Sequence, residues 1–330
     1  MSIGSNKRGQ ITAHIFFSFL IAIILGVIAG NQYFGESRDY SNYADFFNAL
    51  LTAPNLSDVE TRFEPGFTLL SYWLTALGFG AVATYSFIAG FCVLIKAGAL
   101  RTSEASLVGV FMFVLFYFAR YFILFEMTVL RAAVAFSIAF FVFFRKRDER
   151  VHIFELSLLL LATAFHYSAV IFLFIYSQRQ LSPWRAIAAA LFVFLMGVVA
   201  KEFIFERVEE ILPVFSSYRD VGVTATVLPI PYILDILLAM FGLYFWKYND
   251  VPMKYSVLGI IVGAAIHFSM LDYTIIAGRF RELMSVFILV YVVRAAMSSC
   301  RFLRVVAIMF TTVSGSLYFY AMTIYDPLLS

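Results

Sequence analysis

The chain reads as an all-α, polytopic integral membrane protein with about eleven transmembrane crossings, two of them forming a short hairpin. Three observations predict that class. The 330 residues are 62% hydrophobic and 18% aromatic, with a mean hydropathy of +0.88, more apolar surface than a soluble domain of this length uses. Only 14% are charged, and these fall in short stretches. Between the stretches lie apolar runs near 20 residues, the length at which a helix crosses a bilayer.

Such runs occupy residues 11–30, 81–100, 106–124, 127–144, 184–202, 231–247, 254–273, 282–300 and 302–322. The first exceeds the apolar core of a signal peptide, about 7–15 residues, so it reads as a retained helix. Basic stretches at Lys7–Arg8, 145–150, 179–185, 247–254 and 294–304 mark the cytoplasmic side. Keeping both 145–150 and 179–185 inside requires an even number of passes between them. The segment 152–178 is therefore expected to fold back near His166 as a hairpin, with the C-terminus outside. Two longer outer loops are expected at about 31–65 and 201–231. They mix aromatic and charged residues and so read as ordered caps. The short apolar stretch 67–78, flanked by Pro65-Gly66 and Gly78, is expected to lie in the interface or re-enter. No internal repeat is visible, and residues 1–330 read as one transmembrane domain.

Several function classes fall away at this point. A net charge of +3 gives no nucleic-acid footprint. Cys92 and Cys300 lie in or beside apolar runs and form no disulfide framework, and the four histidines show no metal-ligand spacing. The chain holds no Walker loop, GxGxxG or DxD motif, so no metal or cofactor is expected.

What remains is a set of charges at the margins of apolar runs, nearly all on the outer side. An ionisable group at the centre of a span costs roughly 2.5–3.5 kcal/mol, so one near a membrane face needs a partner or a purpose. The first outer loop carries Arg38-Asp39-Tyr40 with Tyr43, and closes with Arg62-Phe63-Glu64-Pro65-Gly66-Phe67. Carboxylates there can take a proton from a hydroxyl, arginines can hold phosphate in pairs, and aromatics can stack on sugar faces. The same residues can also simply pair with one another and fix the loop. Arg120 and Glu126 flank a boundary between runs. Arg131, in Leu130-Arg131-Ala132-Ala133, has no acid one helical turn away and must find an anion in Glu126, a loop carboxylate or a ligand. His166, at the hairpin tip, can transfer protons near neutral pH or serve as a buried donor. Gly278-Arg279-Phe280-Arg281-Glu282 opens the tenth span, as an anchor or as half of a diphosphate clamp.

In order, Arg38-Asp39-Tyr40 with Tyr43, Glu64-Pro65-Gly66-Phe67, Leu130-Arg131 with its alanines, Phe165-His166-Tyr167-Ser168-Ala169 and Gly278-Arg279-Phe280 resemble the EpsG/Wzy-like family of bacterial polysaccharide polymerases over roughly residues 30–285. The resemblance implies a multi-pass protein of the bacterial cytoplasmic membrane, N-terminus inside and site on the extracytoplasmic face. It implies transfer of a growing glycan from undecaprenyl diphosphate to an incoming lipid-linked repeat unit, with a flippase and a chain-length regulator as partners. On that reading Glu64 or Asp39 is the base, with His166 as the alternative. Arg131 and Arg279, with Arg38 and Arg120, stabilise the departing diphosphate, and Tyr40 contacts sugar. A lipid-linked oligosaccharide flippase would line both halves of a path with charge, which this one-sided set does not. A ligase that passes finished glycan to another acceptor would use the same residues.

Overall fold

The computed structural model describes residues 3–53, 55–59, 61, 63–211 and 230–329. Among these residues fourteen α-helices follow in chain order: α1 Ile3–Gly30, α2 Tyr40–Thr52, α3 Pro65–Ala76, α4 Ala81–Thr102, α5 Leu107–Arg120, α6 Leu130–Arg145, α7 Ile153–Phe165, α8 Val170–Ser177, α9 Pro183–Ile211, α10 Ile230–Tyr244, α11 Val251–Ser269, α12 Thr274–Met284, α13 Val286–Met297 and α14 Arg301–Tyr320. Among the described residues no strand forms, and only an isolated bridge joins Ser37 to Leu329. The protein is membrane-embedded and all-α.

Among the described residues, four helical stretches are long and apolar enough to cross a bilayer: 81–102, 183–203, 251–269 and 301–325. A fifth forms if α5 and the turn after it count as one bent span. Helices α5, α6, α10 and α13 are shorter than the runs predicted. The reason is local: α5 ends at Arg120 and the chain bends by 63° into a wide turn, Phe122–Thr128, before α6 begins. Broken backbone is tolerated at membrane depth only where its polar groups are satisfied inside the protein. Here Tyr85 donates its hydroxyl to Met127 O at 2.7 Å, and Thr128 donates to Ile123 O at 2.9 Å. Tyr121 reaches across to Ser285 O at 3.0 Å.

Segment 152–178 is folded back on itself. Tyr176 on α8 accepts the His152 backbone N–H at 2.9 Å and donates to Glu155 on α7, so the two ends of the hairpin lie side by side. At about 1.5 Å per residue neither arm spans the ~30 Å of a hydrocarbon core. Among its described residues, the loop at 31–65 holds α2 and a 3₁₀ turn at Leu56–Asp58. The short helix expected at 67–78 is α3. The second loop differs from expectation, since α9 continues through Lys201 to Ile211. Residues 212–229 of that loop, and Arg62 of the first, lie outside the described residues.

Helix α6 is the axis of the core, its side chains buried on nearly every position from Leu130 to Phe144. It packs on α4, α7 and α13. Alongside, α1 meets α4 at backbone distance, since a Cβ on Gly26 would stand 2.4 Å from Ser86 O and one on Gly90 2.7 Å from Ala22 O. Small residues allow this approach where lipid offers no hydrophobic drive between helices.

Candidate active site

Three chain segments meet beside the start of α6. Glu64 immediately precedes α3, whose first residue is Pro65, well suited to the opening turn of a helix. Gly66 follows, and a Cβ there would stand 2.7 Å from Ala164 O on α7. Only glycine lets α3 press this closely on the end of α7, and that contact carries Glu64 to His166. His166 closes α7 in extended conformation, its backbone N–H bonded to Ala162 O at 3.0 Å. Arg131 sits in the first turn of α6, placed by the wide turn before it.

Glu64 is 4% exposed and His166 6%. One carboxylate oxygen of Glu64 pairs with the Arg131 guanidinium and the other lies 3.1 Å from His166 Nδ1. A carboxylate accepts only, so Nδ1 carries the proton in this bond and Nε2 is the free basic nitrogen of the neutral ring. Among the described residues nothing hydrogen-bonds to Nε2. Burial alone would raise the Glu64 carboxyl, but the His166 hydrogen bond and the Arg131 charge outweigh it and hold the group down to about 2. Glu64 is thus a fixed anion, while His166 retains a nitrogen that can accept a proton.

The Arg131 guanidinium lies over the Phe63 ring at 4.9 Å, and Phe63 stacks on Tyr43 at 5.4 Å. The Tyr43 hydroxyl accepts the Arg131 backbone N–H at 3.5 Å. Among the described residues, Nε of Arg131 is buried with no hydrogen-bond partner. An unmet guanidinium donor of this kind is costly unless an anion arrives to satisfy it.

The remaining expected residues divide. Arg120 does not present an open guanidinium. It is 3% exposed and forks onto Asp235 of α10 at 2.8 and 2.7 Å, with the Tyr318 hydroxyl bonded to both. These bonds tie α5, α10 and α14 together. Arg38 pairs with Asp326, fastening the loop at 31–65 to the segment after α14. Tyr40 donates to Gly30 O at 2.9 Å and packs on Tyr85, which pins the loop to α1. Asp39 precedes α2 without capping it and stands within electrostatic reach of both Tyr43 and Glu282. Arg279 is exposed on α12, with Arg281 over the Tyr232 ring at 5.7 Å. Helix α12 packs on the Tyr167–Ala169 turn just after His166. Glu126, considered as the anion for Arg131, instead binds Lys96 at 2.5 Å.

Asp235 and Lys96 were missed by sequence reading. Both had a signal: a lone charge inside an apolar run, Ile233-Leu234-Asp235-Ile236-Leu237 and Val93-Leu94-Ile95-Lys96-Ala97, demands a partner inside the protein. Among the described residues no group of three or more His, Cys, Asp or Glu gathers as a metal site would.

The model of the EpsG family matches residues 15–329. No curated relative and no solved structure was matched.

Proposed function

Because this chain belongs to the EpsG family, a family of polysaccharide polymerase-like proteins, we propose that it is a membrane glycosyltransferase that lengthens a surface polysaccharide. The donor is a glycan on undecaprenyl diphosphate, and the acceptor is the terminal sugar of an incoming lipid-linked repeat unit. The site faces the extracytoplasmic side in this reading, following the charge pattern of the loops.

The observation that carries the proposal is the Arg131–Glu64–His166 arrangement. The acceptor hydroxyl oxygen bonds to the anomeric carbon of the donor chain, and its proton passes to His166 Nε2. The bond from that carbon to the diphosphate oxygen breaks, and its electron pair leaves on the lipid diphosphate. Glu64 holds the imidazole in the required tautomer and balances the imidazolium that forms, as the carboxylate does in a hydrolase triad. Arg131, through its unmet Nε, and the α12 arginines meet the charge gathering on the leaving group. Glu64 is therefore a positioning residue, and the base assigned to it by sequence passes to His166.

The test is chain length in a strain lacking its own copy. His166→Ala and Arg131→Lys should reach the membrane at normal levels and yield glycan of single repeats. Full-length polymer from His166→Ala would remove the histidine from the mechanism. Glycan of normal length left on its lipid carrier, with transfer to a final acceptor lost, would favour the ligase reading.

A further inference from the structure

A second concave site lies at the other end of α6 and does not depend on the proposed activity. Arg131 and Arg145 open and close this helix, about 21 Å apart at 1.5 Å per residue. Around Arg145 four elements end together: α4 after Thr102, α6, α13, and the start of α11. They enclose a cleft of about 430 Å³, within the range of small-molecule sites.

Its lining is cationic, holding Arg145, Lys146, Arg147, Lys254 and Arg294 against one carboxylate, Asp250. That carboxylate is already engaged. Arg294 binds it at 2.9 and 2.5 Å, and it caps α11 by accepting the Met253 N–H at 3.0 Å. Lys146 is occupied too, donating to Arg150 O at 2.8 Å with Glu155 at 3.6 Å. Among the described residues no carboxylate lies within ion-pair distance of Arg145, Arg147 or Lys254. Three cations with no acidic partner thus line one cavity, together with the positive end of α11. Charges that only set orientation need no cavity; these line one.

We propose that this cleft binds a phosphate-bearing anion. Guanidinium groups grip phosphate oxygens in pairs, and a lysine adds a point charge. A neighbouring cleft of about 290 Å³ shares Asp250 and Arg294 and is lined in part by Met253 and Met297. A lipid headgroup could fill the first with its glycerol and acyl region against the methionines; a soluble phosphate compound would fill the first alone.

The test uses the purified full-length protein, the triple variant Arg145→Gln/Arg147→Gln/Lys254→Gln, and the single variants Arg147→Gln and Lys254→Gln. In one arm, nanodiscs containing phosphatidylglycerol and phosphatidylethanolamine are opened and retained lipid is counted by native mass spectrometry. In the other, ATP and inorganic phosphate are titrated calorimetrically into protein in phosphatidylcholine nanodiscs. Each basic residue near an anionic surface contributes enough for about a fivefold change in affinity. The single variants should bind about fivefold more weakly and the triple variant on the order of a hundredfold. Selective retention of phosphatidylglycerol identifies a lipid headgroup; binding in the second arm alone identifies a soluble phosphate. No binding by the native protein in either arm overturns the proposal. So does binding unchanged in the triple variant, or in both single variants should the triple not fold.

Discussion

His166 Nδ1 lies 3.1 Å from Oε1 of Glu64, although 102 residues separate them along the chain. The contact exists because α3 and α7 approach at Gly66 closely enough to exclude a methyl group. A carboxylate fixed to one imidazole nitrogen leaves the other to take a proton. Its effects are open to measurement.

Glu64→Gln keeps the side chain's size and removes its charge. General-base catalysis contributes roughly 10²–10⁴-fold, and the amide would leave His166 in mixed tautomers. Polymerising activity should fall by about that factor, as it should in His166→Ala. The double variant should lose little more than either single change, because residues acting as a unit are not additive. Additive losses would separate the two residues.

Arg131→Ala removes the partner of a buried carboxylate and should destabilise the protein by about 3–5 kcal/mol, seen as an earlier thermal transition in detergent. Arg131→Lys keeps the charge but not the fork. It should hold most of the stability while losing at least about tenfold in activity, from the donor it cannot supply. Equal loss of both quantities in the lysine variant would make Arg131 structural only.

Stability should depend on pH through Glu64. Its carboxyl is held at about 2 against an ordinary 4.5, so the folded state binds this proton less readily than the unfolded chain. The stabilisation is fully present above about pH 4.5 and is lost as pH falls toward 2. It amounts to roughly 3 kcal/mol. Thermal unfolding followed from pH 6 to 2.5 should show a slope that Glu64→Gln flattens.

Gly66→Ala should act at a distance from the chemistry. The added Cβ would stand 2.7 Å from Ala164 O, so α3 must move away from α7 and carry Glu64 off His166. Activity should fall by an order of magnitude or more, since sub-ångström placement governs reactive geometry. Membrane abundance should stay near normal. A fully active Gly66→Ala would show that the helices can separate without harm.

Asp235→Asn leaves Arg120 buried beside a neutral side chain and should cost about 3–5 kcal/mol. Replacing both, Arg120→Met with Asp235→Leu, should cost less than either single change, because no unpaired charge remains. A double-mutant cycle by thermal shift measures this directly.

The membrane class and helical content were legible because apolar length reports on bilayer thickness directly. So were the hairpin at 152–178 and helix α3. The shortened spans were not, since the break after Arg120 rests on tertiary bonds from Tyr85 and Tyr121 that no local pattern announces. Within the site, Glu64, Arg131 and His166 were all recognised as unusual, but not their pairing. Periodicity places a residue on a helix and says nothing of which distant helix it meets. The same limit hid the pairing of Arg120 with Asp235 and of Arg38 with Asp326.

The central claim is that the Glu64–His166–Arg131 arrangement performs glycosyl transfer from a lipid diphosphate. Purified protein given lipid-diphosphate repeat units of its native glycan tests it most directly. The native protein should produce a ladder of lengthened lipid-linked products with release of lipid diphosphate, and His166→Ala, folded to the same thermal transition, should produce none. A ladder from His166→Ala indistinguishable from the native one would contradict the account.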